Sequence, residues 1–153
     1  MNEYLIPKIT VPLVCHTVQG ESIPGEIFLD MILTEGYSID QVLEFFNARL
    51  PFFPIRTASM PRPILLRKNS VVRVDIPQLS ASFAERTSGF AISREATITM
   101  ETLGPVRATF VLDLPQEYTR ILDLINLDPV FFPAMIQENF VILNAHHIYK
   151  IEE

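Results

Sequence analysis

The chain has 153 residues, of which 48% are hydrophobic and 20% charged, so it can bury a core of its own without a metal or a disulfide. Its formal net charge of -6 argues against nucleic acid as the main partner, because binding to phosphates requires a basic surface. With a single cysteine, no signal-peptide pattern and no apolar run long enough to span a membrane, the sequence predicts a cytoplasmic protein with no membrane span.

The first predicted element is a β-hairpin. Residues 10–18 and 26–33 are rich in β-branched and aromatic side chains, which favour strands. Between them lies a loop that contains Gly20, Pro24 and Gly25, residues typical of turns. The pattern therefore predicts two antiparallel strands joined by a long loop.

A helix is predicted to follow this hairpin. Ser38 and Gln41 have the spacing of a capping box, which marks a helix start. Asn47 stands where the helix should stop, and because asparagine tolerates the left-handed conformation, we interpret it as a C-cap. One apolar helical face is formed by residues spaced i, i+3, i+4 and i+7, namely Ile39, Val42, Leu43 and Phe46.

A phenylalanine-containing strand and a second hairpin complete the first half. Phe52-Phe53-Pro54 predicts a short extended segment, since the residue before a proline is pushed towards β geometry. Residues 57–63, with two prolines, are predicted to form an exposed loop. Residues 64–67 and 71–75 are predicted to pair as a closing hairpin.

A linker is predicted at residues 77–95. This stretch is mostly polar and serine-rich, but it contains Phe83 and Phe90. We therefore expect it to pack partly on the body of the protein.

The second half, residues 96–153, repeats the order of the first. A hairpin is predicted around Gly104, and a helix from Pro115 to Asn126, where the asparagine is again interpreted as a C-cap. The remaining predicted strands are residues 96–102 and 106–114 of that hairpin, Phe131-Phe132-Pro133 as an extended segment, and residues 140–143 and 148–152 as a closing hairpin.

These two halves align with each other. Residues 42–55 match residues 121–134 without gaps, and five of the fourteen positions are identical. Residues 65–75 match residues 142–152 at an offset of 77. The sequence therefore predicts an α+β protein built by tandem duplication of a β-β-α-β-β unit, with repeats at 1–76 and 96–153 in one compact domain. The two units are expected to form two small antiparallel sheets or a curled barrel, with one helix per copy.

Four segments carry a resemblance to a known family: Gly25-Glu-Ile-Phe28, Asp123-Leu-Ile-Asn126, Phe131-Phe132-Pro133 and His147-Ile148-Tyr-Lys-Ile151. In these the chain resembles a family of uncharacterised small bacterial domains, whose members have a Gly-led strand, a helix ending in asparagine, a Phe-containing strand and a closing hairpin. The resemblance implies two copies of such a domain. It implies no activity, cofactor or catalytic residue.

Few residues suggest chemistry. Cys15, His16, His146 and His147 could approach one another if the first strand of the first half lay beside the last strand of the second. Because neighbouring strand residues point to opposite faces, at most one of each pair would turn inward, which leaves too few ligands for zinc. We therefore predict no metal, no cofactor and no catalytic residue.

The remaining candidates are structural or interaction residues. The Phe-Phe-Pro segments are predicted to lie in the core, with an exposed apolar edge used for self-association as the alternative. Residues 56–73 are locally basic and residues 101–128 acidic, which indicates ordinary solvated faces or charge complementarity with another subunit or an acidic partner. The candidate residues are Asn47, Asn126, Phe52, Phe53, Phe131, Phe132, His146 and His147.

Three functions are compatible with these features. The leading hypothesis is a non-enzymatic binding or assembly module that contacts itself or another protein. The alternative is a small-molecule sensor or enzyme with its site at the junction of the two copies. A third hypothesis is an accessory factor in secretion or cell-surface assembly.

Overall fold

The computed structural model describes residues 7–31, 36–87, 92–112, 121–126 and 129–153. Within these ranges the strands are β1 (Lys8–Thr17), β2 (Ser22–Asp30), β3 (Phe52–Ile55), β4 (Ile64–Arg67), β5 (Val71–Asp75), β6 (Ile92–Met100), β7 (Gly104–Leu112), β8 (Phe131–Ile136), β9 (Asn139–Asn144) and β10 (Ile148–Glu152). The helices are α1 (Ile39–Asn47), α2 (Ser80–Thr87) and α3 (Ile121–Ile125). Single 3-10 turns occupy Lys68–Ser70, Pro77–Leu79 and Ala145–His147.

Most described strands belong to one antiparallel sheet with the order β10-β6-β7-β8-β9-β5-β1-β2. β3 and β4 form a separate two-stranded sheet, and one bridge between Glu26 and Arg56 attaches it to β2. The mixed α and β composition is confirmed. The expected division into two small sheets is wrong, because β9 pairs with β5 and joins the strands of both halves. The curled barrel is also wrong, since the large sheet is open and ends at β10 and β2.

The hairpin predictions differ in outcome. The pairing of the opening hairpins is confirmed as β1–β2 and β6–β7. The long loop predicted for the first is wrong, because β2 begins at Ser22 and Pro24 and Gly25 pair with β1. The closing hairpins are wrong: β4 pairs with β3, β5 with β1 and β9, and β10 with β6. The turns at 68–70 and 145–147 are single 3-10 turns with extended residues on both sides, so the chain passes on to another neighbour instead of folding back. The β8–β9 hairpin turns through Gln137 and Glu138, which have positive φ angles of 52° and 66°, as a tight hairpin turn requires.

Helix α1 follows the sequence pattern at its start more closely than at its end. At α1 the capping box is confirmed, with N···O distances of 3.1 Å from the Gln41 amide to Ser38 Oγ and 3.0 Å from the Ser38 amide to Gln41 Oε1. The C-cap of α1 is Ala48 in an extended conformation, so the interpretation of Asn47 as a left-handed C-cap is wrong. The predicted start of the second helix at Pro115 lies outside the described residues.

Much of the segment predicted as a linker forms regular secondary structure. Residues 80–87 form α2, and residues 92–95 belong to β6. Phe83 is buried and its ring lies 5.2 Å from the ring of Phe140, so this segment packs on the body as expected. Phe90 lies outside the described residues.

The core covers both faces of the central strands. Phe140 and Ile142 of β9 point into one apolar cluster, together with α1, β1 and β3. Val141 and Leu143 point into a second cluster with β6 and β7. A strand with both faces buried is a nearly continuous apolar run, which explains the sequence of β9. In the described ranges, no helix is long and apolar enough to cross a membrane.

Candidate functional site

A cleft of about 380 Å³ lies where the end of α1 meets the start of β8, at the junction of the two halves. It is lined by residues 46–51 and 67–69 of the first half and by Val130, Phe131, Asn144 and His146 of the second. The structure thus brings three predicted candidates, Asn47, Phe131 and His146, to one place.

Asn47 binds the backbone of the other half. Its Nδ2 donates to the carbonyl oxygen of Phe131 at 2.8 Å, and the Phe131 amide donates to Asn47 Oδ1 at 2.8 Å. Among the described residues β7 pairs with β8 only at Met135, so β7 offers no hydrogen-bond partner to the Phe131 backbone on the edge of β8 that faces away from β9. The side-chain amide of Asn47 instead pairs with the Phe131 backbone as a residue of a neighbouring strand would. Asn126, its match in the sequence alignment, is exposed after α3. There the backbone N–H of Asn126 donates to the backbone carbonyl of Leu122.

The floor of the cleft is aromatic. The ring centroid of Phe46 lies 5.4 Å from that of Phe53 and 5.5 Å from that of Phe131. Phe132 packs in the other core cluster, 5.7 Å from Phe110. These three members of the Phe-Phe-Pro segments, Phe53, Phe131 and Phe132, are therefore in the core as predicted. Phe52 differs: its side chain is 44% exposed.

Lys68 also lies at the junction, although the sequence does not single it out. Its Nζ donates to the carbonyl oxygens of Phe45 at 2.9 Å and Ala48 at 3.0 Å, at the end of α1. Burial lowers the pKa of this ammonium below its ordinary value. The sequence indicates the need for such a donor only indirectly. Because α1 has no basic residue in its last turn, its terminal carbonyl groups need a hydrogen-bond donor from elsewhere.

The two histidines of the 145–147 turn hold that turn to Asn69. His146 Nδ1 lies 3.2 Å from Asn69 Oδ1, and His147 Nε2 contacts the Asn69 carbonyl oxygen. His147 Nδ1 lies 3.1 Å from Glu101 Oε2. His146 also lines the cleft. The ring of His147 is held in place by contacts of both its nitrogens with oxygen atoms of Glu101 and Asn69.

Asn144 completes the junction beneath the histidines. It is fully buried, its Nδ2 donates to the Val71 carbonyl at 2.9 Å, and its Oδ1 accepts from the His146 amide at 2.9 Å. The side chains of the junction therefore join the two halves through a polar network as well as through the β5–β9 pairing.

Cys15 and His16 lie elsewhere, on β1. β1 is next to β2 and β5, not β10, so the condition under which these residues would meet the histidines of the second half is not fulfilled. As expected for neighbouring strand residues, Cys15 is buried in the core while His16 lies on the opposite face. Among the described residues, no three His, Cys, Asp or Glu side chains are grouped to hold a metal ion.

His16 belongs to a polar network across three strands. Its Nδ1 lies 2.9 Å from Ser22 Oγ and its Nε2 lies 3.0 Å from Asp75 Oδ2, while Arg73 Nε donates to Asp75 Oδ1 at 2.6 Å. Burial acts to raise the pKa of Asp75, but the hydrogen bonds from His16 and Arg73 and the charge of Arg73 outweigh it and hold that pKa below its usual range.

A comparison of this chain with known protein families, with curated proteins and with solved structures found no match.

Proposed function

We propose that the protein is a binding or assembly module that acts through protein–protein contacts, including contacts with a second copy of itself. The observation that carries this proposal is the outer face of the β3–β4 sheet. Leu65 of β4 is 69% exposed, and it lies opposite Pro54 and next to the exposed ring of Phe52. The Arg67 guanidinium covers that ring at 4.8 Å from its centroid. Adjacent exposed apolar side chains of this kind are typical of interaction surfaces.

The predicted tandem duplication relates this surface to the rest of the fold. In the second half the strand order is β10-β6-β7-β8-β9, and in the first half β5-β1-β2 continues through the Glu26–Arg56 bridge to β3-β4. Strands that correspond in the sequence alignment hold corresponding places in the two halves, which supports the proposal of two copies of one unit. A cytoplasmic location stays a prediction from composition.

Light scattering tests the proposal. We expect the mass in solution to rise above 17.4 kDa with increasing protein concentration. Leu65→Lys places a charge on the apolar face and is expected to reduce this association. The matched control is Leu122→Lys on α3, where the native side chain is 54% exposed, and it is expected to associate like the wild type. A mass of 17.4 kDa at every concentration contradicts self-assembly.

A second candidate function is small-molecule binding in the junction cleft. The specific observation is that both halves line it, with the aromatic ring of Phe46, the cation of Arg67 and the imidazole of His146 facing one space of about 380 Å³. This combination suits a small aromatic anion.

Benzoate is a suitable probe for this candidate. Titration followed by amide NMR is expected to shift the signals of Asn69 and His146, and His146→Ala is expected to weaken binding. His16→Ala, outside the cleft, is the control. Signals in the cleft that do not move at millimolar benzoate contradict the site.

A further inference from the structure

We propose that β4 of one chain pairs with β10 of a second copy, in the same antiparallel arrangement that joins β9 to β5 within the chain. This inference rests on the proposed assembly function and names the surfaces that it uses. The duplication supplies the template, because one junction between the two units is already present inside each chain.

The internal junction shows what a completed edge looks like. β9 and β5 pair with Arg73 opposite Leu143, Val74 opposite Ile142 and Asp75 opposite Val141. The central pair of this junction, Val74 and Ile142, has no exposed surface at all. Both strands have a neighbour on each side, and both side chains belong to the same buried apolar cluster.

The equivalent strands at the ends of the molecule are uncovered. At the offset of 77, Leu65 of β4 corresponds to Ile142 of β9, and Ile151 of β10 corresponds to Val74 of β5. Leu65 is 69% exposed where Ile142 is 0% exposed, and Ile151 is partly exposed. The residue type is similar in each pair, but the surroundings differ. Ile142 and Val74 lie in an apolar cluster on paired strands, whereas no described strand flanks β4 and β10 on their outer edges.

The backbone of β4 is also directed to accept a strand. The Lys68 amide donates to the Pro51 carbonyl and therefore faces β3. Since backbone groups alternate in direction along a strand, those of Leu65 and Arg67 face the opposite side. Within the described ranges, β4 pairs only with β3, and β10 only with β6, so both outer edges are unpaired. Such edges are templates for pairing with another chain.

The template fixes the register. Applying the offset of 77 to the β5–β9 pairs places Leu66 opposite Lys150, Leu65 opposite Ile151 and Ile64 opposite Glu152. Leu65 and Ile151 would then lie directly opposite each other, as Ile142 and Val74 do.

Charge favours a second copy as the occupant. Arg62 lies just before β4, whereas β10 ends in Glu152 and is followed by Glu153. Antiparallel pairing in the proposed register places Glu153 opposite Pro63, beside Arg62. Arg62 of one chain thus lies beside Glu153 of the next, and opposite charges at an interface favour the correct partner.

The two contact surfaces are different, so the contact is head-to-tail. Such contacts produce a ring if the rotation closes and an open chain if it does not. Two chains that exchange both contacts form the smallest ring, in which every sheet edge involved is paired.

Disulfide cross-linking tests the register. The opposite residues Ile64 and Glu152 form a non-hydrogen-bonded pair in this register, where Cβ atoms lie closest. A mixture of the separate variants Ile64→Cys and Glu152→Cys is expected to form a covalent dimer under mild oxidation. The matched control mixes Ile64→Cys with Lys150→Cys, which lies on the same face two residues away. Its dimer is expected to form on the order of tenfold more slowly, because diagonal residues lie about 7–8 Å apart. The native Cys15 is buried and does not interfere.

Three outcomes would overturn the inference. If light scattering shows association but the two mixtures cross-link equally, the assembly function stands and the β4–β10 pairing fails. If the double variant Ile64→Cys/Glu152→Cys closes within its own chain at low concentration, the occupant is the same chain. If the wild type never associates, both proposals fail.

Amide hydrogen exchange of the wild type is an independent test of the pairing, because it does not depend on how the variants fold. The amides of Leu65 and Arg67 in β4 are expected to exchange several-fold more slowly at high protein concentration. Unchanged exchange at these amides while the mass rises contradicts the pairing.

Discussion

Asn47 and Phe131 are joined by two hydrogen bonds of 2.8 Å, one from the Asn47 side chain to the Phe131 carbonyl and one from the Phe131 amide to the Asn47 side chain. The last residue of α1 therefore satisfies both backbone groups at the start of β8. Phe131 is only 3% exposed, so water cannot replace Asn47 freely.

The variant Asn47→Ala tests this bridge. It leaves the amide and carbonyl of Phe131 without partners, which is expected to lower the free energy of unfolding by about 1–3 kcal/mol. Urea denaturation measures the change. The matched control is Asn126→Ala, at the aligned but exposed position, which is expected to change stability by no more than about 0.5 kcal/mol. Equal effects of the two variants would show that the bridge contributes nothing specific.

Asp75 is expected to make stability depend on pH. Its pKa is lower in the folded protein than in the unfolded chain, so its contribution is present above the unfolded pKa of about 4 and is lost as the pH falls through the folded value. Asp75→Asn removes this titration. We expect the variant to be less stable than the wild type near pH 7 and to lose less stability towards about pH 3.

Urea midpoints at several pH values measure this difference. Asp40→Asn serves as the control, because Asp40 is 77% exposed and forms only a surface ion pair with Arg86. Parallel pH profiles of the wild type and Asp75→Asn would argue against the network of His16, Arg73 and Asp75 as the cause.

Gly25 is required where β2 meets β3. A Cβ atom at this position would lie 2.6 Å from the Arg56 carbonyl oxygen and 2.7 Å from Ile55 Cγ1. Gly25→Ala is therefore expected to destabilise the protein by about 1–3 kcal/mol and to accelerate exchange of the Glu26 and Arg56 amides. Gly20→Ala is the contrast, since it has open space and strains only its own φ of +85°. Unchanged exchange at Glu26 in Gly25→Ala would contradict the close approach.

Cys15 is expected to be inert in the folded protein. Burial, with a smaller effect of the Asp75 charge, raises the pKa of this thiol to about 12, and the reactive species is the thiolate. A thiol reagent at about pH 8 should label Cys15 only after denaturation. Rapid labelling of the native protein would show that β1 opens locally.

Local sequence patterns predicted the elements of the fold well. The capping box at Ser38, the helical face of α1 and the β-branched and aromatic composition of the first hairpin are recognisable because each depends on residues close together in the chain. The strand character of the Phe-Phe-Pro segments was predictable for the same reason. The missed helix α2 lies in a polar, serine-rich stretch, and only Phe83 hinted that it packs on the core.

The partners of these elements were decided by the tertiary structure. Residues 71–75 carry no local mark that distinguishes a hairpin with β4 from pairing with β1 and β9. The side-chain roles at the junction depend on the same long-range choice. The asparagine at the end of α1 binds the start of β8 because, among the described residues, β7 does not pair with Phe131.

The sequence by itself determined that this chain is an α+β protein whose two halves share one pattern of elements. Only the tertiary structure decided that β5 and β9 join the halves into one sheet and that β4 and β10 end without a described neighbour. The physical reason is the range of the interactions. Periodicity and capping act over one or two turns of chain, whereas strand pairing brings together backbone groups that are distant in sequence.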